Sequence, residues 1–114
     1  MEDALIELLN TLGYPVIRQG SLAPNEAYPD TFITFWNNSE DGESFYDNTE
    51  ASVSYDYYVN VYSSNPALVY TVLESARALL REHNWITVQR GFDIASDEPT
   101  HTGRGMEIEY LDYK

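Results

Sequence analysis

ASVSYDYYVNVYS, residues 51–63, alternates in character along its whole length. Ala51, Val53, Tyr55, Tyr57, Val59 and Val61 take the odd positions, and Ser52, Ser54, Asp56, Tyr58, Asn60 and Tyr62 the even ones. Successive side chains of a strand point to opposite faces, so this is one long strand with an apolar face and a mostly polar one. β-Branched and aromatic residues dominate the odd face and suit a pleated, half-buried surface. A helical pattern follows almost at once, over residues 66–82. Ser64 or Asn65 can cap it and Pro66 can take its first position. Leu68, Val69, Val72, Leu73, Ala76, Leu79 and Leu80 give it a continuous apolar stripe that can cover the odd face of the strand.

Upstream, TFITFW (residues 31–36) reads as a second strand with aromatic and β-branched residues on both faces, which points to burial on both sides or to contact with a partner. Residues 1–12 read as an amphipathic helix on Leu5, Leu8, Leu9 and Leu12, stopped by Gly13 and Pro15. A short strand is expected over 14–18 and an irregular connection over 19–30, where Gly20, Pro24, Asn25 and Pro29 fall. Downstream, residues 85–90 alternate as a strand, and 91–94 continue it past a bulge at Gly91. Residues 95–104 are a polar connection. In the last strand, 105–112, Met106, Ile108 and Tyr110 face one way and Glu107, Glu109 and Leu111 the other. The expectation is a single α+β domain over residues 1–114. It has two layers: a mostly antiparallel sheet of four to five strands, one face of it wet, against two helices in the order α-β-β-β-α-β-β.

Between the two good strands, residues 37–50 (NNSEDGESFYDNTE) carry Glu40, Asp41, Glu43, Asp47 and Glu50 and no basic residue. The segment reads as a long acidic loop, and such loops are usually functional or mobile. Its Phe45 and Tyr46 serve either as local anchors or as part of a contact surface.

Nineteen acidic residues against six basic ones leave a net charge of −13. Such a surface repels phosphate backbones, so sequence-specific nucleic-acid binding is not expected. No apolar run approaches the roughly 18 residues of a membrane helix. The first residues lack the pattern of a secretory signal. There is no cysteine, which removes thiolate nucleophiles and thiolate metal sites. A cytoplasmic location follows as an expectation.

Catalytic patterns are scarce. No serine sits in a nucleophile elbow, and the only lysine is Lys114. His83 falls at a helix end, where it complements the dipole, and His101 in a polar segment. Asp41, Glu43 and Asp47 around Gly42 resemble a cation loop only in composition, because EF-hand spacing is not met. Gly103 and Gly105 flank Arg104 without the length or lysine of a phosphate loop. No enzyme, cofactor or metal is expected. Ten tyrosines point instead to interfaces, where the ring buries area and the hydroxyl remains satisfied. Tyr58 and Tyr62, on the polar face of the central strand, either pair across the sheet or meet another subunit.

Three segments carry a resemblance to a known family: LGYPV (residues 12–16), YDYYVNVYSSNPALVYTVLESARALL (55–80) and GFDIASDEPTHTGRGMEIEYL (91–111). With this element order, the chain resembles the small tail-terminator, or tail-completion, proteins of long-tailed bacteriophages and prophages. In the third segment Asp97-Glu98, Thr102-Gly103 and Met106/Ile108/Tyr110 stand where that family has an acidic residue, a Thr-Gly pair and an alternating strand. The resemblance implies a virion protein of the neck, assembled in the host cytoplasm. It would form a homohexameric ring that caps the tail tube and joins it to the head connector, with tail-tube and connector proteins as partners. The acidic segment around Glu40, Asp41, Glu43, Phe45, Tyr46, Asp47 and Glu50 would then line the lumen or dock a partner, and Tyr58 and Tyr62 would lie at the subunit interface. Size and charge equally suit an acidic inhibitor, of the immunity or DNA-mimic type, that neutralises a basic nuclease.

Overall fold

The computed structural model describes residues 2–18, 29–46, 49–95 and 100–113, with the backbone alone for 39–46, 49–52, 112 and 113. Two helices, α1 (Glu2–Asn10) and α2 (Pro66–Glu82), accompany six strands: β1 (Val16–Arg18), β2 (Thr31–Tyr46), β3 (Thr49–Ser63), β4 (Ile86–Thr87), β5 (Phe92–Ile94) and β6 (Thr102–Tyr113). The sheet order is β1-β2-β3-β6-β4, with β5 also on β6. All pairings are antiparallel except β1 with β2. The architecture is the expected α+β one, with a mixed sheet.

The alternating strand is the centre of this sheet. β2 lies along one edge of β3 and β6 along the other. From its odd face Val53, Tyr57, Val59 and Val61 are buried, together with Ile33 and Phe35 of β2 and Met106 and Ile108 of β6. Helix α2 brings Val72, Leu73, Ala76 and Leu80 onto this layer, and α1 adds Leu5 and Leu9. The cap of α2 is Asn65, whose side chain accepts a bond from the Ala67 N–H at 3.1 Å, and Pro66 follows at the first position. Asn84 closes the helix in the left-handed region, at φ 71°, a conformation asparagine tolerates.

The acidic segment 37–50 is corrected by the structure. It is no loop: β2 runs on to Tyr46 and β3 begins at Thr49, so the two strands form one long hairpin. Register shifts between Asn37 and Ser39, between Gly42 and Ser44, and between Ser44 and Phe45 let the polar, glycine-containing arm keep pace with its partner. Its composition has low strand propensity. The long ladder to β3 supplies the hydrogen bonds that override this preference. A 16-residue strand spans about 53 Å at roughly 3.3 Å per residue, which matches the longest dimension of the molecule, 53 × 29 × 23 Å. The radius of gyration, 15.2 Å, exceeds the about 13 Å of a compact chain of this length.

The strand expected over 85–90 shrinks to Ile86–Thr87. Residues 88–91 bulge before β5 returns to β6, as the glycine at position 91 suggested. Val88 N–H still bonds to the Glu107 carbonyl at 3.0 Å. The Glu107 N–H is taken by the side-chain oxygen of Gln89 at 3.1 Å. Arg104 ties the returning strand down through Asp93 Oδ1 (2.9 Å) and the Gly91 carbonyl (3.2 Å), with its guanidinium over the Tyr70 ring.

Candidate functional site

Among the described residues, both helices lie on one face of the sheet. The other is built from the even positions of β3 with their partners on β2 (even as far as Trp36, odd at Ser39 and Asp41 past the register shift), the odd positions of β6, and the residues of β4 and β5 that pair with those odd positions. At the β1 end Thr34 and Asn60 are buried and share a long bond of 3.4 Å. Phe32 stacks on Tyr62 with centroids 5.3 Å apart, and Trp36 on Tyr58 at 5.2 Å. Phe92 meets Tyr58 edge-on at 6.4 Å. Tyr58 and Tyr62 thus do pair across the sheet, the first of the two roles their sequence position allowed.

Two glycines shape this surface. A Cβ on Gly103 would lie 2.8 Å from both the Tyr62 ring and Ile94, and one on Gly105 would collide with the Asn60 amide. Side chains from β3 therefore lie across β6 where it has none of its own. The result is a shallow depression of about 330 Å³ bounded by Trp36, Tyr58, Asn60, Tyr62, Phe92 and Ile94. In the sequence Gly103 and Gly105 flank Arg104 without the pattern of a phosphate loop. Glycine at alternate positions of a strand was the available sign of a close approach.

Beyond the depression the face remains apolar but opens to water. Among the described residues the exposed large hydrophobics are Trp36 (45%), Ile86 (57%), Val88 (49%), Leu111 (38%) and Tyr70 (56%). All but Tyr70, which belongs to α2, lie on the open face.

Three carboxylates sit among them. Asp56 on β3 is the register partner of Glu109 on β6, and Glu107 is the partner of Tyr58. One oxygen from each of Asp56, Glu107 and Glu109 lies within 4.8 Å of the others. A hydrogen bond with the Asp56 carboxyl, then lost hydration, then the negative charges of Asp56 and Glu109 push the Glu107 pKa up to about 7 from the usual 4.5. Asp56 Oδ2 accepts a long bond from Asn38 Nδ2, at 3.4 Å. Asp56 Oδ1 is shut off from solvent with no hydrogen-bond partner among the described residues. The three carboxylates have oxygens enough for a hard cation only if some bind bidentately or water completes its shell. What the cluster lacks is donors. In the sequence Glu107 and Glu109 are only the polar side of the last strand, and the β3–β6 register is what brings Asp56 beside them.

The acidic positions singled out in the sequence lie elsewhere. Glu40 pairs in register with Tyr55, Asp41 with Ser54, Phe45 with Glu50 and Tyr46 with Thr49, all on the hairpin arms. Glu43 falls at the shift between Gly42 and Ser44. Asp47 lies outside the described residues. Of the histidines, His101 places Nε2 2.8 Å from the Pro29 carbonyl and its ring against Phe32. His83 ends α2 and borders a small cleft with Ala4, Leu8, Trp85 and Tyr110. No helix among the described residues is long and apolar enough to cross a membrane.

No protein-family model matches the chain, and no curated protein matches it significantly.

Proposed function

We propose that this chain is a structural subunit that works by assembly: a tail-terminator or tail-completion protein of a long-tailed phage or prophage. In this reading copies form a hexameric ring that caps the tail tube and receives the head connector in the virion neck. The observation that carries the reading is the sheet whose second face, among the described residues, carries exposed apolar side chains. Trp36, Ile86, Val88 and Leu111 stand exposed on one continuous side, an arrangement typical of surfaces that meet other proteins. The three quoted segments and the element order give it the phage context. The acidic hairpin supports it too: carboxylates along an extended arm would keep DNA from adhering to a channel wall. No catalytic step is assigned to the chain.

The test is mass in solution, by light scattering coupled to size exclusion, over a concentration series with and without tail-tube protein. A hexamer, or a monomer that closes into a ring when tube protein is added, is expected. A monomer at every concentration that ignores tube protein overturns the reading. The acidic inhibitor would then be pursued by pull-down with a basic nuclease.

A further inference from the structure

The carboxylates of Asp56, Glu107 and Glu109 stand inside the apolar part of the open face. Trp36 and Tyr58 flank them on one side. On the other, Ile86 pairs with Glu109, Val88 bonds to Glu107, and Leu111 follows on the same face. A partner that covers these exposed hydrophobics must also take the three carboxylates out of water. Removing an uncompensated carboxylate from water costs more than burial of an aliphatic side chain returns. The occupant must therefore bring a positive charge and several donors.

We propose that the open sheet face docks an apolar segment of a different protein carrying an arginine, whose guanidinium lodges among Asp56, Glu107 and Glu109. The segment's flanking apolar side chains cover Trp36, Val88 and the depression beside Phe92 and Ile94. Arginine fits better than lysine. Its planar fork supplies five N–H groups to oxygens short of donors, and its faces stack on rings such as Trp36 and Tyr58. Charge also argues against a second copy as occupant. Face to face, two copies would oppose six carboxylates. Of the five arginines, Arg18, Arg77, Arg90 and Arg104 already sit in ion pairs with Glu2, Glu74 and Asp93, and the exposed Arg81 belongs to α2, on the helix-covered side of the sheet. The inference rests on the assembly reading only in taking the open face as a protein-binding surface.

The experiment is an NMR titration of the ¹⁵N-labelled full chain at about pH 8, above the Glu107 titration, with EDTA present. The probes are an acetylated Leu-Val-Arg-Val-Leu amide and the same peptide with citrulline, which keeps the shape and loses the charge. The arginine peptide is expected to shift Trp36, Tyr58, Val88 and Glu107. The citrulline peptide should bind about tenfold or more weakly, the scale of a charge-assisted hydrogen bond. A Glu107→Gln/Glu109→Gln variant should lose the same factor while its spectrum stays dispersed, and Trp36→Ser should weaken both peptides. Equal affinity for the two peptides, no shift on this face at several millimolar, or shifts on the hairpin arms instead would each overturn the proposal. So would concentration-dependent broadening at Trp36 and Tyr58 without peptide that Trp36→Ser relieves. That result would put a second copy on the face and leave the ring reading standing. Conversely, a chain that stays monomeric with tube protein yet prefers the arginine peptide keeps this inference and sinks the ring.

Discussion

The two faces of the sheet come from the same strands and carry comparable numbers of aromatic and aliphatic side chains, yet they end in opposite states. On the helix side Tyr57, Val59 and Val61 are sealed beneath α1 and α2. On the other side Tyr58 and Tyr62, one residue along from them, lean on Trp36 and Phe32 with one side to water. Apolar character alone therefore does not tell a core from a docking surface. The difference lies in what is interleaved. The helix-side positions from Tyr57 to Val61 on β3 and from Arg104 to Ile108 on β6 hold no carboxylate, whereas the open face holds three within one small cluster. A dry core rejects such a group, and an interface can use it by supplying the opposite charge.

The sharpest way to break this contrast is to truncate each face in turn. Tyr57 is 1% exposed and meets Trp85 edge-on at 6.0 Å. Tyr57→Ala should cost about 3–5 kcal/mol, read as a lower urea midpoint. On the open face, Gly105 offers the matching test. Gly105→Ala should cost roughly 1–3 kcal/mol, because the new methyl displaces the buried Asn60 side chain. An unchanged midpoint would mean that the close packing over β6 is dispensable.

The carboxylate cluster gives a pH test. Glu107 holds its proton to about pH 7 in the folded chain and releases it near 4.5 otherwise. Between those values the folded state binds more protons, so stability falls as pH rises. Glu107→Gln should flatten that slope and gain roughly 1 kcal/mol or less at pH 8, a figure kept small by solvent screening at a half-open site. A variant that follows the parent's pH curve would show that Glu107 does not set it. Trp36→Ser loses only the stack on Tyr58, a change of about 0.5–1.5 kcal/mol. Its larger effect should appear in binding. The smallest stability change, within about ±0.5 kcal/mol, is expected when Glu40, Asp41, Glu43, Asp47 and Glu50 are all converted to amides. If assembly with tube protein and DNA passage are also unaffected, the hairpin has no part in either.

Sequence alone determined the elements whose pattern is local. The alternation of residues 51–63, the stripe and cap of α2, and the Leu5/Leu9 face of α1 each specify a period and a buried side. All three are found in place. Even the bulge at Gly91 was legible, since a lone glycine in a strand pattern has few other uses. Residues 37–50 were not legible as a hairpin, because a polar arm carries no periodic signal and owes its strand form to a partner ladder. Only the tertiary structure decided the site. Asp56 and Glu109 are 53 positions apart in the chain and become neighbours through the β3–β6 register. Trp36 and Val88 join them by two further pairings on the same face. A one-residue slip of β6 would have sent Glu107 and Glu109 into the core and Met106 and Ile108 into water. Burial of that apolar pair is the physical reason the register holds, and with it the cluster that the open face presents.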